Sequence, residues 1–178
     1  RPDSLPQLYT NRTGKELIDR YLQAKDPYAS CGMLVIDLDF FKNVNDRYGH
    51  LFGDKVLQEF ARMLRTLFRS SDILVRFGGD EFVLCFTNQD DIANIENISM
   101  DIINELYEGY TTADGAMHID VKASIGVAFC PEHTEDVNEL LSFADTAMYF
   151  VKKNGKTNYH IYIPEDSATD EYIDPEGF

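Results

Sequence analysis

Arg76-Phe77-Gly78-Gly79-Asp80-Glu81-Phe82 sets two glycines and two adjacent acids between two apolar stretches. Ile73-Leu74-Val75 precedes it and Val83-Leu84-Cys85-Phe86 follows. Both flanks read as short buried strands, so the Gly-Gly pair predicts a hairpin turn. Glycine supplies the backbone freedom of a tight turn and lets a large ligand lie against the main chain. A turn that only reverses direction has no need of two acids at the mouth of a buried strand. Their presence points to a metal or a reacting hydroxyl nearby.

A second block lies upstream and reads Met33-Leu34-Val35-Ile36-Asp37-Leu38-Asp39-Phe40-Phe41-Lys42-Asn43-Val44-Asn45, continuing to Gly49-His50-Leu51-Phe52-Gly53-Asp54. Cys31 to Ile36 is a continuous apolar run of strand length. If this strand neighbours the hairpin, Asp37 and Asp80 meet at one edge of a sheet. Two carboxylates plus phosphate oxygens suit a hard cation such as Mg²⁺ or Mn²⁺. Asp39 is the better-placed cap for a helix opening near Phe40, which leaves Asp37 for the metal. Glu81 either assists the metal or only holds the turn. Phe40-Phe41-Lys42 reads in two ways. It is a hydrophobic staple with a surface lysine, or a helix start whose N–H groups face phosphates while Lys42 offsets transition-state charge. Asn45 and Asp54 are candidate base readers, because a carboxylate accepts from both N1–H and the 2-amino group of guanine. Each also fits a helix cap, and for Asp54, just ahead of the Val56 helix, that reading has weight.

The chain has 178 residues, 44% of them apolar, which suits one domain around a single core. Its formal net charge of −15 argues against a nucleic-acid surface and is otherwise what solubility asks for. An anionic nucleotide then needs a metal or a few placed lysines. Cys31, Cys85 and Cys130 sit in or beside apolar runs with no metal-ligand spacing, so they predict buried free thiols in a reducing cytosol. No apolar run reaches the length of a membrane span. The chain opens on Arg1 rather than Met, which predicts a piece of a longer protein.

Helical periods mark residues 13–24, 56–68, 92–106 and 140–151, the last stopped by Asn154-Gly155. Val121 to Val127 alternates as a strand, and Tyr159 to Ile163 predicts a final one. One local hairpin with crossovers elsewhere predicts an α+β fold with a mostly antiparallel sheet. The expected domain is 1–163; residues 164–178 hold six acids and no Lys or Arg, which predicts a solvated tail.

The two blocks together resemble the GGDEF domain, the catalytic domain of diguanylate cyclases, over about Asp3 to Asn158. The resemblance implies a ferredoxin-like palm, related to nucleotidyl cyclases, that joins two GTP molecules into cyclic di-GMP. It implies that Asp37, Asp80 and the Leu38 carbonyl hold Mg²⁺ or Mn²⁺, and that Asp80 helps deprotonate the nucleophile. Phe40, Phe41, Lys42, Gly78 and Gly79 would bind substrate, with Asn45 and Asp54 on guanine and His50 nearby. Lys152 and Lys156 read alone as helix-end lysines that complement the dipole; the family places phosphate-binding cations there, the second usually Arg. Arg69 and Asp72 read alone as an exposed ion pair; their offset from Gly78 matches the family's inhibitory product site. The family's opening stretch has decayed here to Asp3-Ser4-Leu5-Pro6-Gln7-Leu8-Tyr9-Thr10-Asn11.

The implied partners are GTP, cyclic di-GMP as product and inhibitor, a second copy in a transient or regulated homodimer, and an upstream regulatory domain. The implied location of the domain is cytoplasmic. A domain of low activity that only binds GTP or cyclic di-GMP is the alternative.

Overall fold

The apolar run after Ser30 becomes β2 (Ser30–Asp39), one of the two central strands of a six-stranded sheet. The computed structural model describes residues 8–39, 41–89 and 91–168. In chain order the other strands are β1 (Leu8–Thr10), β3 (Ile73–Arg76), β4 (Glu81–Gln89), β5 (Tyr110–Thr111), β6 (His118–Ile119), β7 (Lys122–Cys130) and β8 (Tyr159–Ile161). The helices are α1 (Asn11–Ala24), α2 (Phe41–Tyr48), α3 (His50–Thr66), α4 (Ala93–Tyr107) and α5 (Val137–Lys153). The sheet order is β1-β3-β4-β2-β7-β8. Its four inner strands are mutually antiparallel, and the outer β1 and β8 run parallel to their neighbours. This is the mostly antiparallel α+β sheet that the sequence predicts.

The run in β2 is continuous rather than alternating because both faces of the sheet are covered. Leu34, Ile36 and Leu38 pack with α3 and α4, while Cys31, Met33 and Val35 pack with α1 and α5. The three cysteines are free and buried, all within this second core. β2 extends three residues past the expected end at Ile36, because Asp37 and Asp39 are buried on the α5 side and remain in the ladder. A Cβ on Gly126 would stand 1.8 Å from the Ala144 carbonyl oxygen, so glycine there lets α5 lie flush on β7. That contact fixes the height of every α5 side chain above the sheet.

Three expectations change. α3 begins at His50 behind Gly49, whose φ is +87°, so Asp54 lies inside the helix and caps nothing. The first turn of α3 carries no buried apolar stripe (Leu51 is exposed), so periodicity dates the helix only from Val56. Asn45 likewise lies within α2, not at a cap. Finally, Pro164–Ala168 is a short 3₁₀ helix rather than the start of a solvated tail. Asp166 within it is buried and accepts hydrogen bonds from Ile163 N and His160 Nε2, each at 2.9 Å. Among the described residues no helix is long and apolar enough to cross a membrane.

Candidate active site

Asp37 and Glu81 are direct partners across the β2–β4 ladder, and Leu38 N donates to the Asp80 carbonyl oxygen at 3.2 Å. The register therefore sets Asp37, Leu38, Asp80 and Glu81 side by side at one end of the sheet. The connection from β3 to β4 spans residues 77–80 rather than two glycines alone. Phe77 N donates to Glu81 O at 2.9 Å, and Arg76 braces the loop through Nε to Gly78 O and Nη2 to Gly79 O. Neither glycine has φ in the left-handed region, and a Cβ on either would meet nothing within 4 Å. Backbone freedom is thus not their use here. They leave open space over the main chain, which is what a ligand lying on it requires.

Asp37 and Asp39, two apart on one strand, point to the same face. Lys152, in the last turn of α5, comes down between them: Nζ is 3.1 Å from Asp37 Oδ2 and 3.4 Å from Asp39 Oδ1. Its side chain is 1% exposed. The sequence reading takes Lys152 and Lys156 as two cations on one helix end. In the structure Lys156 lies beyond the helix, in a turn with φ +63°, because α5 stops at Lys153. Asp39 is not the cap of α2. Its carboxylate accepts from Ser124 Oγ and from Thr157 N and Oγ1.

Asp145, on α5 two turns before Lys152, escapes the sequence reading. Burial pushes its carboxyl up to about 6, and its Oδ1 is buried without a hydrogen-bond partner among the described residues. Glu81 is pushed up to about 8, first by burial and then by the charges of Asp145, Asp37 and Asp80. The signal available was an acid on the sheet-facing side of an otherwise apolar helix stripe. Such a concentration of acids favours a bound cation. Among the described residues no three His, Cys, Asp or Glu side chains converge as a ready metal site. Two carboxylates and a carbonyl still fit a hard cation that takes its remaining ligands from phosphate and water.

α2 and α3 form the neighbouring wall. Phe41 is buried at the start of α2 and Lys42 is exposed; Phe40 lies outside the described residues. Asn45 Oδ1 is buried and has no hydrogen-bond partner among the described residues. It lies against Gly53, next to Asp54. His50 and Asp54 are four apart on α3 and share a face, both exposed. Asn45 on α2 thus faces the residue that precedes Asp54 on α3.

Arg69 and Asp72 form an ion pair of 3.1 Å, but it is not a loose surface pair. Asp72 is buried, and its carboxylate also accepts from Arg69 N at 2.9 Å and Thr87 N at 3.0 Å, which fastens the approach to β3 onto β4. Arg69 is half exposed, on the rim of a cleft of about 310 Å³ that also holds Gln89, Asn94 and Asn97. A larger cleft, about 860 Å³, lies at the other end of β2 beside Tyr21, Lys25 and Ser30, and contains none of the expected site residues.

The chain matches the family described as diguanylate cyclase, GGDEF domain, over residues 2–158. It is 33% identical over 163 residues to the cyclic di-GMP phosphodiesterase PdeR of Escherichia coli, covering 92% of this chain and 24% of that protein. It is 34% identical over 155 residues to the diguanylate cyclase TpbB of Pseudomonas aeruginosa, covering 86% of this chain and 35% of that one. The solved structure of a TpbB form comprising only its GGDEF domain matches with a TM-score of 0.86 at 32% identity, over 94% of this chain and 98% of that one. The chain thus spans 24% to 35% of these curated relatives and nearly all of the solved domain. With the Gly-Gly-Asp-Glu-Phe turn set against Asp37, it belongs to the diguanylate cyclase GGDEF domain family.

Proposed function

We propose that this domain condenses two GTP molecules into cyclic di-GMP, releasing two pyrophosphates. The observation that carries the reading is the register of Asp37 against the Asp80–Glu81 end of β4, beside an open Gly78-Gly79 loop. Asp37, Asp80 and the Leu38 carbonyl would hold Mg²⁺ or Mn²⁺, which supplies charge at the α-phosphate and acidifies the ribose 3′-hydroxyl. The chain's own residues do the rest. Asn45 and Asp54 read guanine. Phe40 and Phe41 offer main-chain N–H groups to the β- and γ-phosphates, and Lys42, Lys152 and Lys156 offset their charge. Asp80 receives the proton of the attacking hydroxyl, with Glu81 beside it. His50 borders the base pocket.

Each domain holds one GTP, and the product is two-fold symmetric. The reaction therefore takes place between two copies facing each other across a two-fold axis. Product cyclic di-GMP binds at Arg69 and Asp72 and slows turnover. The relatives are longer than this chain, which supports a regulatory domain elsewhere in the full-length protein. GTP as substrate places the domain in the cytoplasm.

The test is incubation with GTP and Mg²⁺ followed by chromatography of the nucleotides. Cyclic di-GMP and pyrophosphate are expected, and neither should form in Asp37→Ala or Asp80→Ala. Undiminished product in either variant rules out the metal assignment. One observation favours a second reading, a binding module of low activity: a relative covering 92% of this chain is named a phosphodiesterase. In that case GTP binds and no product forms.

A further inference from the structure

Asp39 is buried, and both of its carboxylate oxygens are engaged. Oδ1 accepts from Ser124 Oγ at 2.7 Å and lies 3.4 Å from Lys152 Nζ. Oδ2 accepts from Thr157 N and from Thr157 Oγ1, each at 3.1 Å. The donors come from β7, from the end of α5 and from the turn that follows it. That turn is unusual. Lys156 and Thr157 are consecutive residues with φ of +63° and +53°, a backbone state that side-chain-bearing residues rarely adopt. Something must hold it, and the paired bonds from Thr157 to Asp39 do so together with Lys156 N to Val151 O at 2.9 Å.

We propose that Asp39 is a positioning residue for cyclic di-GMP synthesis: it shares the Lys152 ammonium with Asp37 and pins the turn that carries Lys156. The inference rests on the assignment of Asp37 to the metal. Lys152 Nζ touches Asp37 Oδ2, so an ammonium and an incoming divalent cation compete for the same carboxylate. A buried ammonium that loses its counter-charge is strongly destabilised. Asp39 gives it a second anchor within reach, so the cation takes Asp37 while Lys152 remains held beside the phosphates. Three neutral donors and one ammonium already occupy Asp39, so it acts through the lysines rather than as a metal ligand.

Mn²⁺ titration without nucleotide, read from the paramagnetic resonance of the free ion, tests this. Asp37→Asn should abolish site binding. Asp39→Asn, which leaves the ammonium to Asp37, should weaken Mn²⁺ binding about tenfold, within the usual range of coupling between contacting residues. Adding Lys152→Met to Asp39→Asn should restore Mn²⁺ affinity to within about twofold, which no general loss of structure would do. Unchanged affinity in Asp39→Asn, or no recovery in the double variant, overturns the inference alone. Full Mn²⁺ binding in Asp37→Asn overturns the metal assignment and the inference with it. If Asp39→Asn fails to fold, Thr157→Val retains every charge and removes one bond to Asp39. It should raise KM for GTP about fivefold with little change in kcat, the scale of one hydrogen bond. An unchanged KM in that variant overturns the inference.

Discussion

A Cβ atom on Gly53 would stand 1.9 Å from Oδ1 of Asn45, an oxygen that is buried and has no hydrogen-bond partner among the described residues. Glycine on α3 is what lets the Asn45 amide turn inward from α2. Buried polar atoms are normally paired, so on the proposed reading this amide oxygen takes its donor from the guanine 2-amino group.

Gly53→Ala should therefore displace the Asn45 amide. KM for GTP should rise by roughly tenfold or more, and discrimination against ATP should fall, because a site built on paired polar groups draws its selectivity from them. Initial rates with each nucleotide decide it. An unaltered ratio of GTP to ATP turnover would remove Asn45 from base reading.

Gly78→Ala and Gly79→Ala test the opposite situation. A methyl group at either position meets nothing within 4 Å and no left-handed φ is required, so the fold should tolerate both. Melting temperatures should stay within about two degrees of the parent, as for surface substitutions within ±0.5 kcal/mol. Nucleotide binding should nevertheless weaken at least tenfold, since the methyl occupies the space above the loop. Loss of the fold along with binding would show that the glycines serve the turn itself.

The parts of this site that were legible in the sequence are those carried by local pattern. Asp37 directly follows the apolar run of β2, and the Gly-Gly-Asp-Glu stretch is bounded by two more apolar runs. Asn45 and Asp54 came from the chemistry of guanine and from family resemblance, while their helices were placed less well. Asp39 was misread as a cap because its real partners, Ser124 and Thr157, stand 85 and 118 residues away. No local window contains them. Asp145 was missed for the same reason: its burial depends on how closely α5 lies on the sheet, which Gly126 sets. β1 was missed because three residues of an outer strand carry too little pattern, though Leu8-Tyr9-Thr10 pairs in parallel with Leu74-Val75-Arg76. The altered opening segment therefore abuts the strand that leads into the Gly-Gly loop; its Asp3 to Gln7 portion lies outside the described residues.

Arg69 and Asp72 should separate on mutation, because their surroundings differ. Arg69→Ala removes a half-exposed guanidinium from the rim of a cleft and should weaken cyclic di-GMP binding at least tenfold, the scale of a lost charge-assisted contact. Asp72→Asn removes the carboxylate that fastens Thr87 and should lower thermal stability first. Calorimetry with cyclic di-GMP and thermal melts of both variants distinguish the two. The same product affinity in Arg69→Ala would reduce the pair to a structural clamp.

Asp145 makes the stability of the domain depend on pH. Its folded carboxyl is raised to about 6 from an ordinary 3.8, and that of Glu81 to about 8 from 4.5. Over those windows the folded chain holds protons that the unfolded chain has released. Stability from this source is whole below the ordinary values and is lost as pH rises through about 6 and then about 8. Asp145→Asn removes one buried charge and relieves Glu81 of its largest charged neighbour. The variant should melt higher than the parent at pH 8, and its loss of stability between pH 5 and pH 8 should be shallower. Parallel melting curves across that range would mean that Asp145 is ionised at no cost in the folded chain.

On the proposed function, one Asp80–Glu81 turn paired with one Asp37 would serve a single GTP, whereas cyclic di-GMP needs two attacking hydroxyls and two α-phosphates. On the proposed reaction two chains meet, each with a formal charge of −15. Like charges of that size slow the encounter, and salt screens them over about 8 Å at physiological strength. At low salt and low concentration the domain should be monomeric by light scattering, with activity per chain rising with protein concentration. Added monovalent salt should lift that activity before general weakening of GTP binding lowers it. A dimeric coiled coil fused ahead of Arg1 should make activity per chain independent of concentration, by turning the encounter into an intramolecular one. Constant specific activity in a species shown to be monomeric would mean that both nucleotides react on one chain, and the two-fold arrangement would have to be abandoned.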